Sequence, residues 1–137
     1  MSRRAGGGEA TIRAISGPAA FAWNRYERGL SRLIPSAGPS VDQTAVPATP
    51  AMEAHYFAND CFLPPNALLG STDHLAEIPG IIVQGRYDLL CPPATASSLA
   101  KAWPLGRLRF VEAGGHTASE APMATALSQA IAEMIPV

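Results

Sequence analysis

From Pro79 onward the chain reads strand, helix, strand, helix, and that order narrows the fold more than any other feature. Gly80-Ile81-Ile82-Val83-Gln84-Gly85 is a short β-branched run closed by glycine at both ends. It predicts a strand at 81–84 buried on both faces of a parallel sheet. Pro92-Pro93 marks a helix start, and Ala94–Trp103 is rich in helix formers. Arg107–Val111 alternates polar and apolar and predicts a second strand, followed by a loop at Glu112–Gly115. Glu120–Ile135 sets Met123, Leu127, Ile131 and Ile135 on one stripe, a final helix. The expected class is therefore α/β.

Two parallel strands cannot cover both faces and both edges of a sheet. The strand at Ile81–Gln84 would present an unpaired apolar edge, which invites association with another chain.

Upstream the signals are helical. Residues 1–16 read as an irregular Gly-rich start, its first ten residues mobile. A helix is expected from Pro18 to Leu33, with Phe21, Trp23, Tyr26, Leu30 and Leu33 on its apolar face. Ser36–Pro50 reads as a loop, Met52–Cys61 as a second helix ended by Pro64-Pro65, and Asn66–Leu75 as a short third.

Composition fits a folded domain: 47% apolar and 15% charged over 137 residues. A net charge of −1 with no basic run gives no reason to expect nucleic acid or an anionic membrane as partner. No apolar stretch reaches the roughly 20 residues of a membrane span, and the charged N-terminus lacks the apolar core of an export signal. A cytoplasmic location is expected. Cys61 and Cys91 lie far apart without metal-type spacing and read as free buried thiols; no metal or cofactor is expected, since the acid–base chemistry read below needs none.

The chemistry points to two residues. Asp88 falls just past the first predicted strand, and His116 follows Gly114-Gly115 just past the second. Ligands and catalytic groups of open α/β sheets gather at that rim, outside the strands' carboxyl ends. Taken singly, an Asp in such a loop is usually a cap and a His there a loop residue. Their joint placement suggests an acid–base pair, in the Asp-then-His order of serine hydrolases. The double glycine would permit a close backbone approach that a side chain would obstruct.

Several stretches carry a resemblance. Ile78 to Pro92 (IPGIIVQGRYDLLCP), Lys101-Ala102-Trp103-Pro104 and Gly114-Gly115-His116-Thr117-Ala118-Ser119-Glu120 resemble the acid- and histidine-bearing segments of the proline iminopeptidases. Glu53-Ala54-His55-Tyr56-Phe57 and Ala22-Trp23-Asn24-Arg25-Tyr26-Glu27 are similar to that family's cap-domain motifs. The resemblance covers roughly residues 20–135, in family order. It implies the C-terminal part of an α/β-hydrolase fold preceded by a helical cap-domain segment, with the cap at 17–78 and the hydrolase core at 79–137.

It further implies Asp88 as triad acid and His116 as triad base. Glu27 and Glu53 would hold the free amine of an N-terminal proline, a cation that needs compensating acceptors in an apolar pocket. The implied partner is a peptide with N-terminal proline. Tyr56 and Phe57 read as cap core rather than substrate contacts.

The sequence departs from the family's pattern: it has no G-x-S-x-G, the turn that presents the nucleophile, and Gly6-Gly7-Gly8-Glu9 is not a His-Gly-Gly-Gly oxyanion loop. The chain alone is thus expected to be inactive, and a complementing N-terminal fragment is an expected partner. Two alternatives stand beside this: a non-catalytic relic or dimerising module that associates through its sheet edge, or another α/β-hydrolase such as a dehalogenase, epoxide hydrolase or acyltransferase. The Glu pair argues against the last, because those enzymes call for an apolar cap pocket.

Overall fold

A computed structural model describes residues 6–34 and 48–135, with residues 6–15 by backbone only. The expected mobile start at residues 1–5 and the expected loop at 36–47 lie outside the described residues. The chain divides into two compact units, one from residues 1–28 and 37–62, the other from 29–36 and 63–137.

The second unit carries the sheet. β1 (Gly80–Gly85) and β2 (Gly106–Val111) run parallel, paired from Gly80 with Gly106 to Gly85 with Val111. Helix α3 (Pro93–Ala102) crosses between them, and α4 (Ala121–Met134) follows β2. Prolines open both helices, where their missing N–H costs no intrahelical bond. Trp103 anchors the start of the sheet: its indole Nε1 donates to the Ile78 carbonyl at 2.8 Å, and its ring packs against Gly80 and Gly106. Strand, helix, strand and helix stand where the sequence placed them, within a residue or so at each end.

The core is thin. Val111, Met123 and Ala126 form its buried cluster, with Val83 packed against it. Ile81, Ile82 and Val83 are only half-buried, which corrects the expectation of a strand covered on both faces. The physical reason is supply: among the described residues the sheet has two strands, so β1 has one hydrogen-bonded neighbour. An open apolar groove of about 370 Å³, lined by Ile81, Val83, Trp103, Leu127 and Ile131 among others, lies along β1 and α4.

The first unit is helical. α1 spans Gly6–Leu30, so the helix begins well before the expected Pro18 and residues 6–16 are not irregular. Glu9, Ala10, Arg13 and Ala14 are good helix formers, and their turns outweigh the loss of one backbone bond at Pro18. α2 runs Thr49–Phe57, earlier at both ends than the expected Met52–Cys61. It stops because Asp60, Cys61 and Phe62 all take left-handed φ between 50° and 57°, which no right-handed helix can contain. In place of the expected third helix, Leu69–Leu75 forms a 3₁₀ stretch within the second unit. Tyr56 and Phe57 are exposed rather than core, Phe57 stacking on Trp23 with ring centroids 6.2 Å apart.

Candidate active site

The loop after β1 is built around Asp88. Its side chain is 7% exposed, and Oδ1 accepts from the backbone N–H groups of Leu90 (3.0 Å) and Cys91 (2.8 Å). Gln84, buried at the end of β1, donates through Nε2 to the Cys91 carbonyl at 3.0 Å and reaches Asp88 Oδ2 at 3.4 Å. The carboxylate is therefore aimed by backbone amides on one oxygen and a buried amide behind the other. Oδ2 remains for His116.

The loop after β2 is held as firmly. Arg86 N donates to the Val111 carbonyl and Tyr87 N to the Gly114 carbonyl, so the two loops are stitched together where the strands end. A Cβ on Gly85 would overlap the Gly115 carbonyl oxygen, and one on Gly115 would lie 2.8 Å from Leu33 N. The double glycine does permit the close approach expected of it. His116 N and Thr117 N both donate to the Ser31 carbonyl, at 3.0 and 2.9 Å.

Glu120 ties this region down. Oε2 accepts from Gly115 N at 3.0 Å, and Oε1 accepts from Leu33 N at 2.9 Å and Ile34 N at 3.3 Å. Burial alone would raise its carboxyl, but those three N–H donors and the Arg32 cation outweigh it and hold Glu120 below its ordinary range.

His116 Nδ1 lies 3.1 Å from Asp88 Oδ2, with 40% of the imidazole side chain exposed. A neutral imidazole donating from Nδ1 to a carboxylate leaves Nε2 as an acceptor. That arrangement can take a proton from a neighbouring nucleophile, and the carboxylate then stabilises the imidazolium formed.

Cys91 is the unexpected neighbour. Both cysteines are free and exposed, not buried. Partial desolvation, then the negative Asp88 carboxylate, push the Cys91 thiol above its ordinary range. Asp88, Cys91 and His116 each offer a ligand atom within 4.8 Å of the others. The sequence reading missed Cys91, Gln84 and Glu120. Their signal was slight: Cys91 sits three residues beyond Asp88, a reach that only the Asx-type turn closes, and Glu120 four beyond His116.

In the first unit, Glu53 and Glu27 come together. Trp23 Nε1 donates to Glu53 Oε2 at 2.9 Å. Glu53 is raised above its ordinary value, first by desolvation and then by the Glu27 carboxyl as hydrogen-bond partner and like charge, with the Trp23 bond opposing. A recess of about 340 Å³, lined by Ala19, Ala20, Trp23, Pro50, Ala51 and Ala54 among others, shares Trp23 with this pair. The structure thus joins Asp88 with His116, and Glu27 with Glu53, each pair within its own unit. Among the described residues no helix is long and apolar enough to cross a membrane.

No family model matches the chain. It is 42% identical over 119 residues to the proline iminopeptidase of Neisseria gonorrhoeae, covering 86% of this chain and 38% of that protein. It is 40% identical over 122 residues to a probable proline iminopeptidase of Leptolyngbya boryana (85% and 37%), and 39% identical over 106 residues to the proline iminopeptidase of Arabidopsis thaliana (74% and 28%). The chain therefore spans less than two-fifths of the length of these curated relatives.

Proposed function

We propose, from the premise that this chain is a homologue of part of the proline iminopeptidases, that it is the C-terminal acid–base portion of a serine aminopeptidase of the α/β-hydrolase fold. The observation that carries the reading is Asp88 against His116 at the ends of two adjacent parallel strands. In this role His116 removes the proton from a nucleophile supplied by another segment, and Asp88 fixes the imidazole tautomer. Residues 17–78 correspond to the cap and 79–137 to the end of the hydrolase core.

Specificity falls to Glu27 and Glu53. Two carboxyls in contact repel as their protons leave, and a substrate ammonium placed between them relieves that repulsion while donating a hydrogen bond to each. The apolar recess beside Trp23 has room for a pyrrolidine ring next to the carboxyl pair. Together they favour a peptide with N-terminal proline and select exopeptidase action, because only a free terminus carries the charge.

The 137 residues contain no G-x-S-x-G. The chain alone is accordingly inactive on this reading, and activity requires a polypeptide that brings the nucleophile and the oxyanion donors. The test is release of a chromogenic amine from a proline amide by the chain, with and without such a fragment. Release by the chain alone, or failure of a folded mixture to release it, would contradict the proposal.

A second reading rests on the groove along β1 and α4. Half-buried Ile81 and Val83, at a strand with one paired edge among the described residues, support association of this chain with another, and a non-catalytic module would use the same surface.

A further inference from the structure

We infer that Asp88, Cys91 and His116 form a binding site for a zinc-class divalent cation, superimposed on the acid–base pair. The donor set is one carboxylate oxygen, one sulfur and one imidazole nitrogen, all mutually within 4.8 Å. Oxygen-preferring Mg²⁺ and Ca²⁺ are poor matches for a thiolate, whereas Zn²⁺ takes this mixture with three protein ligands and an open fourth position.

The geometry is close to what the ion needs. In a tetrahedral zinc site an oxygen and a nitrogen ligand stand about 3.3 Å apart, given metal–ligand distances near 2.0–2.1 Å. Asp88 Oδ2 and His116 Nδ1 are already 3.1 Å apart. The Cys91 sulfur is exposed and within 4.8 Å of both, so binding requires it to close by about an ångström. The carboxylate is also pre-oriented: Oδ1 is taken by the amides of Leu90 and Cys91, and Gln84 stands behind Oδ2. Such outer partners are what hold a metal-ligating carboxylate in place.

The proton balance is simple and involves no oxidation. The Cys91 thiol releases its proton to solvent on becoming a thiolate ligand. A neutral imidazole that coordinates through Nδ1 carries its proton on Nε2 instead. That tautomer cannot accept a proton from a nucleophile, so on the proposed hydrolase reading the cation inhibits. The binding itself does not rest on that reading.

Cobalt(II) titration of the purified full chain tests the site, because a thiolate ligand gives a sulfur-to-cobalt charge-transfer band. We expect a band saturating at one Co²⁺ per chain, and bleaching when Zn²⁺ displaces it. Cys91→Ser abolishes the band without altering the far-ultraviolet circular dichroism, His116→Ala weakens binding by at least about tenfold, and Cys61→Ser leaves both unchanged. Absence of a saturating band in the folded chain, a band that survives Cys91→Ser, or an affinity indifferent to His116→Ala overturns the inference.

Discussion

His116 Nδ1 sits 3.1 Å from Asp88 Oδ2 across 28 residues of sequence, because β1 and β2 are register-paired neighbours whose last residues, Gly85 and Val111, face each other. The pair is a consequence of the sheet. Each side chain lies a few residues past the strand that delivers it, on loops that bond to each other through Tyr87 N and the Gly114 carbonyl.

Removing the acid has a structural and a chemical cost that can be separated. Asp88→Ala strips the acceptor from two backbone amides and from His116, and is expected to destabilise the second unit by about 2–3 kcal/mol in denaturant unfolding. Asp88→Asn keeps one acceptor oxygen and costs less, yet no longer fixes the imidazole tautomer. In a complemented enzyme it should lower kcat by about 10³–10⁴-fold.

Gly85 has no room for a side chain, since a Cβ there would overlap the Gly115 carbonyl oxygen. Gly85→Ala must push the two loops apart, and is expected to cost on the order of 2 kcal/mol. The His116 ring resonances report it directly: they should shift toward those of a solvent-exposed histidine. Unchanged resonances and stability would mean that the close approach is dispensable.

Glu120 makes stability depend on pH in a stated direction. Its folded carboxyl is held below the ordinary value of 4.5, so its contribution is present above that value and is lost as pH falls through the folded pKa. Glu120→Gln should therefore be less stable than the parent at pH 7, by about 1–2 kcal/mol. The gap should close in acid, below the folded pKa. Urea unfolding at both ends of that range checks the sign.

Glu53 behaves oppositely. Its folded carboxyl is raised above 4.5, so its protonated form favours folding, and that contribution is lost as pH rises through the folded pKa. Glu53→Gln should leave the first unit at least as stable as the parent at neutral pH. The same change removes an anion proposed to hold the substrate amine, and should raise KM for a proline amide about 10–100-fold in a complemented enzyme. A KM left unchanged would remove Glu53 from the amine site.

What the sequence showed, and what it did not, follows from the range of each interaction. The elements from Pro79 onward were legible because β-branched composition, glycine bounds and a 3.6-residue stripe are local signals, and the Asp88–His116 pair followed from counting strand ends. The start of α1 was not: Pro18 and the glycines near residue 6 are local breakers, and a helix that continues across them is set by its remaining turns. The exposure of Tyr56, Phe57, Cys61 and Cys91 was also hidden, because it depends on how much chain is present to cover them. Cys91 illustrates the last gap. Its place beside His116 comes from a turn closed on Asp88 Oδ1, which spacing alone does not reveal.

Whether His116 is the catalytic base is decided by proline release from a chromogenic proline amide by this chain mixed with a fragment that carries the Gly-x-Ser-x-Gly turn, run beside its His116→Ala variant. The expected result is no release by either partner alone, release by the mixture, and a loss of about 10⁴-fold or more with His116→Ala. Equal release with His116→Ala, or a folded mixture that stays silent, would contradict it.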